Sequence, residues 1–306
     1  MLALVFPGQG SQYPGMGKEL AANFATARQV FEEANDTLGF DLADLCFAGS
    51  AADLQLTANT QPAILAVSVA VLRVLEQEHA FSPAYAAGHS LGEFSALVAA
   101  GVLTFADAVS LVRQRGIFMQ EAVPVGVGAM AAVMGLEREP LEQLCADAAQ
   151  GQVVTPANYN SPGQIVLAGH AQAVERALQL AKEQGAKRAM LLPVSAPFHS
   201  LLMAPAGERL AQVLEPIAVS PYRYPVVSNV EALPCQDENR VKALLVKQVC
   251  APVRWDESIT ALAGLGVDSY IEVGPGKVLS GLIKRIDRQA NLAQVADLQS
   301  LLKLQK

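Results

Sequence analysis

The amino-acid sequence predicts an α/β protein in which a largely parallel sheet is interrupted by a smaller unit of the order βαββαβ. Two observations support this fold class. Short apolar segments alternate with helical patterns up to residue 124, and buried strands that alternate with helices favour a parallel sheet. After the segment PVGVG at 124–128 the order changes, and two predicted strands follow each other with no helix between them.

The elements of the first part are predicted from hydrophobic pattern and turn residues. Segment 2–6 is apolar and predicts a buried strand that leads into the turn-forming PGQGSQ. Thr104, with Asp107 three residues later, predicts a capping box for a helix that extends to Glu121. The remaining predicted elements of this part are helices at 17–38 and 62–78, a strand at 84–88, and a helix that ends at Gly101.

The middle of the chain predicts a ferredoxin-like unit. Its elements, in order, are a strand at 129–134, a helix at 137–149, strands at 153–158 and 164–168, a helix at 172–184 and a strand at 186–192. We therefore expect a small domain at 125–195, inserted into a larger domain formed by 1–124 and 196–306. The last part returns to alternation, with a strand at 225–229, helices at 241–249 and 255–265, a strand at 269–273 and a helix after Gly276.

Composition limits the functional class. The chain has 306 residues, of which 52% are hydrophobic and 17% charged, enough for a large core and more than one structural unit. A net charge of −7 argues against general nucleic-acid binding. The start MLALVFPGQG has no basic segment typical of a signal peptide, and the most apolar run, PAILAVSVAVL at 62–72, is too short to span a bilayer.

The four cysteines show neither CxxC nor metal-ligand spacing, a pattern typical of reduced thiols in a cytosolic protein. Together with the composition, this predicts a cytoplasmic protein that binds neither nucleic acid nor membrane and holds no metal.

A candidate nucleophile lies in the segment GHSLG at 88–92. Ser90 stands between two glycines, after a predicted strand and before a predicted helix, as in the G-x-S-x-G nucleophile elbow. Glycines allow the strained turn, and the N–H of Leu91 at the helix start points to where a carbonyl oxygen would become negative. A glycine-rich turn without catalytic function remains the alternative interpretation of this pattern.

A serine hydroxyl needs a base to accept its proton, and the chain has four histidines. His79 ends a polar helix and is expected at the solvated surface, whereas His170 is expected to be a cap or surface residue. His89 is adjacent to Ser90, but neighbours at a sharp turn project in different directions, which favours a structural role. His199, in VSAPFHSLLM, follows an apolar strand beside a proline and is the candidate base, with a core histidine as the alternative. No acidic residue stands out as its partner.

Two arginines on one predicted helix differ in the direction they face. In FADAVSLVRQRGIFMQ, Arg115 falls about 50° from the centre of the apolar face, whereas Arg113 falls roughly twice as far away and is predicted to be an ordinary surface charge. A guanidinium that faces inward requires an anionic partner. Arg115 therefore forms either a buried salt bridge with an internal acid or a bidentate site for a substrate carboxylate.

These motifs resemble those of the malonyl-CoA:acyl carrier protein transacylases, and the resemblance extends along the whole chain. The matching segments are FPGQGSQ at 6–12, TQPAI at 60–64, GHSLGE at 88–93, RG at 115–116, GAMAAVMGL at 128–136, PFHS at 197–200, Gln248 with PVRW at 252–255, and EVGPGKVLSGLIKRI at 272–286. The resemblance implies an α/β-hydrolase-like large domain with a ferredoxin-like insert.

The resemblance also implies a role for each candidate. Ser90 would be the acylated nucleophile and His199 its base, with the main-chain carbonyl of Gln248 orienting the imidazole in place of an acid. The main-chain N–H groups of Gln9 and Leu91 would form the oxyanion hole, and Arg115 would bind the malonyl carboxylate. Phe198, beside the histidine, resembles the malonyl-selective pattern, since a large ring leaves less room for a branched acyl group.

The implied reaction transfers malonyl from malonyl-CoA to the phosphopantetheine thiol of acyl carrier protein, with no metal or redox cofactor. The carrier is typically acidic, so the candidate docking residues are basic: Lys182, Lys187, Arg188, Lys284 and Arg285. Three alternatives remain open at this stage: an acyltransferase that serves a polyketide synthase, an acyl-thioester hydrolase with the same serine, and a non-catalytic carrier-docking component.

Overall fold

Helices and strands alternate along most of the chain in the computed structural model, which describes residues 1–194 and 196–304. The strands are β1 (Leu2–Phe6), β2 (Tyr85–Gly88), β3 (Gly128–Met134), β4 (Val154–Ser161), β5 (Gln164–His170), β6 (Arg188–Leu191), β7 (Val226–Val227), β8 (Pro234–Cys235), β9 (Val253–Arg254), β10 (Ser269–Val273) and β11 (Asn291–Val295). The α/β class predicted from the sequence is confirmed.

The α-helices cover both faces of the larger sheet and one face of the smaller. They are α1 (Lys18–Asn23), α2 (Ala25–Leu38), α3 (Leu42–Ala48), α4 (Ala51–Gln55), α5 (Thr57–Glu78), α6 (Gly92–Ala99), α7 (Phe105–Glu121), α8 (Arg138–Ala149), α9 (Ala171–Glu183), α10 (Ala204–Leu214), α11 (Val241–Gln248), α12 (Trp255–Gly264), α13 (Val278–Ile286) and α14 (Leu298–Lys303). Short 3₁₀ turns at Leu201–Met203 and Glu238–Arg240 precede α10 and α11.

The larger sheet has the strand order β11-β10-β1-β2-β7-β8. Its neighbours from β11 through β7 pair in parallel, and only β8 runs antiparallel to β7. The carboxyl ends of β1 and β2 are adjacent, since Phe6 pairs with Gly88. The loops PGQGSQ and GHSLG therefore begin side by side, at the edge of a parallel sheet where ligands bind.

The smaller sheet has the strand order β6-β3-β5-β4-β9. Its first four strands, with α8 and α9, occur along the chain in the predicted order βαββαβ, and these four pair antiparallel. The fifth strand, β9, was not predicted; it comes from beyond the inserted segment and pairs in parallel with β4. Ser195, which ends the predicted insert, lies outside the described residues.

Two predicted helices differ from the structure at their boundaries. The pattern at 17–38 forms two helices, because Phe24 adopts an extended conformation between α1 and α2. The helix predicted to begin at Pro62 begins at Thr57, so the proline lies inside α5.

The position of Pro62 also corrects the prediction for Arg113. Proline has no N–H to donate to the carbonyl four residues earlier, which here is that of Ala58. Arg113 on α7 supplies the missing donor, with its Nη1 atom 2.7 Å from the Ala58 oxygen and 2.5 Å from Asn59 Oδ1. The arginine is half-buried and fixes α7 against the start of α5, so the prediction of an ordinary surface charge was wrong.

Helix α5 is the central helix of the core. Its length and apolar composition would suffice to cross a membrane, but 83% of its most apolar 18-residue window is buried within the protein, as in the core helix of a folded domain. The elements that sequence reasoning did not find are α3, α4, α10, α14, β8, β9 and β11, most of which are too short to show a sustained period. Helix α10 is the exception, since its buried residues Ala206, Leu210 and Leu214 recur at helical spacing.

Glycine is required at positions 88 and 92, around the serine turn, because the backbone of a neighbouring segment lies close to each of them. A Cβ atom on Gly88 would lie 1.9 Å from the backbone carbonyl of Gly92, and one on Gly92 would lie 2.1 Å from the oxygen of Phe6. Strand β2, helix α6 and strand β1 therefore meet at backbone-to-backbone distance, which any larger residue would prevent.

We predict that Gly88→Ala lowers the free energy of unfolding by at least about 2 kcal/mol, because the added methyl group must displace backbone. The matched control is Gly281→Ala in the exposed part of α13, where an added Cβ meets nothing within 4 Å. That control should raise stability by about 0.5–1 kcal/mol through helix propensity. Denaturant unfolding measures both; equal effects would contradict the packing account.

Candidate active site

Ser90 lies in the turn between β2 and α6 with a φ of +52°, a conformation that costs energy for a residue with a side chain. The side chain of Asn229, which follows β7, stabilises this turn. Its Oδ1 atom accepts a hydrogen bond from Ser90 N at 2.7 Å, and its Nδ2 atom donates to the oxygen of Gly88 at 2.6 Å. The side-chain amide of Asn229 therefore stabilises the strained turn by two hydrogen bonds, one to the backbone of Gly88 and one to the backbone of Ser90.

The hydroxyl of Ser90 contacts His199, the histidine predicted as its base. The Ser90 Oγ atom is 2.7 Å from His199 Nε2. On the other side of the ring, Nδ1 lies 2.8 Å from the carbonyl oxygen of Gln248 and 3.1 Å from that of Ala251. With Nδ1 protonated, Nε2 is free to accept the serine proton, the geometry of a nucleophile, a base and an orienting group.

The carbonyl of Gln248 belongs to the last residue of helix α11. Carbonyls in the last turn of a helix have no partner within the helix and carry a partial negative charge. They can therefore orient the imidazole and stabilise its protonated form, though with less charge than a carboxylate. The structure contains the contact between His199 and the Gln248 carbonyl that the resemblance implies. The catalytic role of Gln248 stays a prediction.

Arg115 is 2% exposed, and its guanidinium is bound by neutral groups. Nη1 donates to Gln61 Oε1 at 2.8 Å, and Nη2 donates to Gln248 Oε1 at 2.9 Å and to Ser90 Oγ at 3.3 Å. Among residues 1–194 and 196–304, no carboxylate forms a salt bridge with this guanidinium. The alternative of a buried internal salt bridge is therefore absent from the described part of the chain.

Burial and charge together set the protonation states around the serine. Burial, with a further contribution from the Arg115 cation, lowers the pKa of His199 to about 3. Burial also lowers the pKa of Arg115, to about 10, which leaves it a cation at neutral pH. A neutral imidazole beside a fixed cation can accept a proton from Ser90 but does not hold one before substrate arrives.

Glu93 is a buried residue of the site that sequence reasoning did not single out. Its Oε2 atom accepts hydrogen bonds from Gln248 Nε2 at 2.7 Å and from Asn229 N at 3.1 Å. Burial raises the pKa of this carboxyl to about 7. The sequence feature that could have revealed Glu93 is its position directly after GHSLG, within the motif GHSLGE. Gln61, which binds Arg115, could likewise have been found from its position within the motif TQPAI.

Gln9 and Leu91 both line the cleft that contains Ser90. Within the described residues, neither of their main-chain N–H groups has a hydrogen-bond acceptor in the protein. Gly8 brings the first of these loops close, because a Cβ there would lie 2.4 Å from the oxygen of His89. Such paired donors can bind a carbonyl oxygen that gains negative charge.

The cleft beside Ser90 has a volume of about 400 Å³ and lies between the two sheets. Alternate residues of β3, Met130, Ala132 and Met134, face the cleft, while the residues between them pack into the core of the smaller sheet. Phe198 and Arg188 also line it. This size and mostly apolar lining suit a thioester with an extended arm.

The other three histidines lie outside the reacting geometry. His89 Nε2 lies 2.8 Å from Asn160 Oδ1, and its ring lies 5.6 Å from that of Trp255, which fits the expected structural role. His170 is the N-cap residue of α9, as expected, but its side chain does not bond to the helix; its Nδ1 atom accepts from Val153 N at 2.9 Å. His79 is half-buried, and its Nε2 atom has no partner among the described residues, so the prediction of a solvated surface residue was wrong.

No cluster of three or more histidine, cysteine, aspartate or glutamate residues in 1–194 and 196–304 is placed to hold a metal ion. The four cysteines are free thiols, three of them buried, and burial raises the pKa of Cys46 and Cys145 to about 12. The Cys46 and Cys145 thiols are therefore protonated at neutral pH and poorly reactive.

Comparison with known proteins places this geometry in a family. The acyl transferase domain model matches residues 3–305. The malonyl CoA-acyl carrier protein transacylase of Bacillus subtilis is 50% identical over 98% of this chain and 95% of its own length. A solved acyl carrier protein S-malonyltransferase from Vibrio cholerae superposes with a TM-score of 0.97 at 50% identity, covering 99% of both chains.

A further solved structure is a type II PKS acyl-carrier protein in complex with its malonyl-transacylase. The transacylase is 48% identical to this chain, with a TM-score of 0.96 over 99% of this chain and 98% of its own. Identity at this level along nearly the full length of the chain, together with the match to the family model, shows membership of the family. The chain belongs to the malonyl CoA-acyl carrier protein transacylase family of acyltransferases.

Proposed function

We propose that this chain transfers malonyl from malonyl-CoA to the phosphopantetheine thiol of acyl carrier protein, in fatty-acid biosynthesis, through a malonyl-serine intermediate. The observation that carries the proposal is the juxtaposition of a Ser90–His199 pair with the buried guanidinium of Arg115, whose hydrogen-bond partners in the described part of the chain are all neutral. A buried cation that forms no salt bridge within the described residues, next to a nucleophile, suits an acyl group that carries its own carboxylate.

In the first half-reaction, Ser90 Oγ attacks the thioester carbonyl while His199 Nε2 takes the hydroxyl proton. The new bond joins Oγ to the carbonyl carbon, and the carbonyl oxygen becomes an anion between the N–H groups of Gln9 and Leu91. The C–S bond then breaks, and His199 returns the proton to the CoA sulfur. The product is malonyl-Ser90 and free CoA.

In the second half-reaction, the phosphopantetheine thiol of the carrier replaces the CoA thiol. His199 takes the thiol proton, the sulfur attacks the ester carbonyl, and the proton returns to Ser90 Oγ as the C–O bond breaks. Arg115 holds the malonyl carboxylate through both halves by bidentate hydrogen bonding. None of these steps calls on a metal or a redox cofactor.

The arrival of the malonyl carboxylate also affects the base. The Arg115 cation is the second contribution, after burial, to the low pKa of His199. A carboxylate bound to Arg115 offsets that charge and makes the imidazole a stronger base when the substrate is in place. Proton transfer from Ser90 is thereby coupled to the binding of an anionic acyl group.

The larger sheet and its helices, 1–124 and 196–306, are assigned to an α/β-hydrolase-like catalytic domain, and 125–195 to a ferredoxin-like insert. The parallel order of the larger sheet and the antiparallel βαββαβ unit support this assignment. The cleft then lies between the two domains. We further assign the protein to the cytoplasm, where malonyl-CoA is available.

The proposed docking surface for the acidic carrier lies around the mouth of the cleft. Arg188 lines the cleft and is exposed, and Arg285 donates to Gln164, which also lines the cleft. Lys187 and Lys284 are exposed beside them, whereas Lys182 lies on α9. Service to a polyketide synthase carrier is the alternative, favoured by the solved complex of a similar transacylase with such a carrier.

We predict that the wild-type protein gains the mass of one malonyl group when mixed with malonyl-CoA and that Ser90→Ala gains none, because the hydroxyl carries the acyl group. His199→Ala should acylate about a thousandfold more slowly, since the proton has no acceptor. Intact-mass spectrometry measures both. The malonyl group should leave Ser90 faster when carrier protein is added than by hydrolysis in buffer alone. Hydrolysis faster than transfer to the carrier would instead indicate a hydrolase.

We predict that Arg115→Met lowers kcat/KM for malonyl-CoA by about a hundredfold or more, while acetyl-CoA changes only severalfold. The reason is that only malonyl offers a carboxylate to the guanidinium. Arg113→Met on the same helix is the matched control and should keep the malonyl preference. An unchanged preference in Arg115→Met would exclude this arginine as the carboxylate site.

We predict that modification of Ser90 by a small sulfonyl fluoride does not slow between about pH 7.5 and about pH 5.5, because the low pKa of His199 keeps the imidazole neutral. In Arg115→Met the cation is gone, the pKa rises, and the loss of rate on acidification moves to higher pH. Arg113→Met should retain the wild-type profile. A wild-type decline centred near pH 6.5 would contradict this account.

A further inference from the structure

Glu93 is buried in the same network, but the proposed chemistry does not use it. The residue is 3% exposed and follows the serine turn on the first turn of α6. A buried carboxyl group is costly unless it is well hydrogen-bonded. Here a single oxygen, Oε2, accepts from the side-chain nitrogen of Gln248 and from the main-chain nitrogen of Asn229.

The first of these bonds determines which way the Gln248 amide faces. Gln248 Nε2 donates to Glu93 Oε2 at 2.7 Å and to the oxygen of Ser90 at 3.0 Å, which leaves Oε1 to accept from Arg115 Nη2 at 2.9 Å. If the amide were reversed, its NH₂ group would face the N–H groups of the guanidinium, a contact between two donors. An acceptor at Glu93 therefore excludes the orientation that would displace Arg115.

The second bond reaches the nucleophile. Asn229 N donates to Glu93 Oε2 at 3.1 Å, and the side chain of Asn229 holds the turn at Ser90 from both sides. One oxygen of Glu93 is thus two contacts away from the carboxylate-binding guanidinium and two contacts away from the main-chain N–H of Ser90, the residue that carries the attacking hydroxyl.

We propose that Glu93 is a positioning residue that acts as a hydrogen-bond acceptor: it fixes the amide of Gln248, and thereby the guanidinium of Arg115, so that the enzyme prefers acyl groups that carry a carboxylate. This inference rests on the function proposed above. It differs from a purely electrostatic role, in which a Glu93 carboxylate would act on Arg115 through its charge.

Two conservative variants separate these roles. Glu93→Gln keeps the length of the side chain and an acceptor oxygen in the place of Oε2, but has no charge. Glu93→Asp keeps the charge but withdraws the acceptor from Gln248 by one methylene. The measurement is the ratio of kcat/KM for malonyl-CoA to that for acetyl-CoA, with thermal unfolding as the check that each variant is folded.

We expect Glu93→Gln to keep the malonyl-to-acetyl ratio within about threefold of wild type and Glu93→Asp to lower it by about tenfold or more, the cost of a displaced hydrogen bond to a charged group. A folded Glu93→Gln that loses the preference, or a folded Glu93→Asp that keeps it, overturns the proposal. If Glu93→Asp does not fold, the result for Glu93→Gln alone decides.

A measurement on the wild-type protein covers the case in which neither variant folds. The side-chain NH₂ protons of Gln248, observed by nitrogen-15 NMR, should exchange slowly with water because Gln248 is fully buried and donates to the buried carboxyl of Glu93; fast exchange overturns the proposal. Failure of the proposed function is distinguishable, because it would appear as absence of malonyl-Ser90 in the wild type. An unchanged ratio in a folded Glu93→Asp would remove only the role of Glu93.

Discussion

The buried guanidinium of Arg115 is the constraint on which the rest of the site depends. A cation removed from water is stabilised only in part by amide oxygens, and those of Gln61 and Gln248 are its main partners. The site therefore retains an affinity for an anion at the place where the acyl group must lie. Burial, with a further contribution from this positive charge, lowers the pKa of the His199 imidazole and keeps it neutral, and an anion bound to Arg115 offsets the second contribution.

Gln248 connects this cation to the chemistry. Its main-chain carbonyl, at the end of α11, accepts from the imidazole, while its side chain binds Arg115 on one side and Glu93 on the other. Among residues 1–194 and 196–304 the imidazole Nδ1 bonds main-chain carbonyls and no acid, and this has a physical reason. A carboxylate at that position would lie close to Arg115 and compete with the substrate for it, whereas a helix-terminal carbonyl orients the ring without a full negative charge.

Local patterns predicted much of the fold and the centre of the site, but contacts between distant segments escaped them. Ser90 was found from its flanking glycines and Arg115 from helical periodicity, both of which are local. Arg113 was misjudged because its partner, the Ala58 carbonyl, is available only through the proline at position 62. The bonds of Glu93 join positions more than 130 residues apart, so no local pattern could reveal them. Strand β9 escaped for the same reason, since two residues carry no periodicity.

A crystal structure of the malonyl-Ser90 intermediate, trapped with malonyl-CoA in the absence of carrier, tests the central claim most directly. If the account holds, both oxygens of the malonyl carboxylate bind the Arg115 guanidinium, and the carbonyl oxygen of the ester lies between the N–H groups of Gln9 and Leu91. A carboxylate that points into solvent, with the arginine still bound only by its two glutamines, would contradict it.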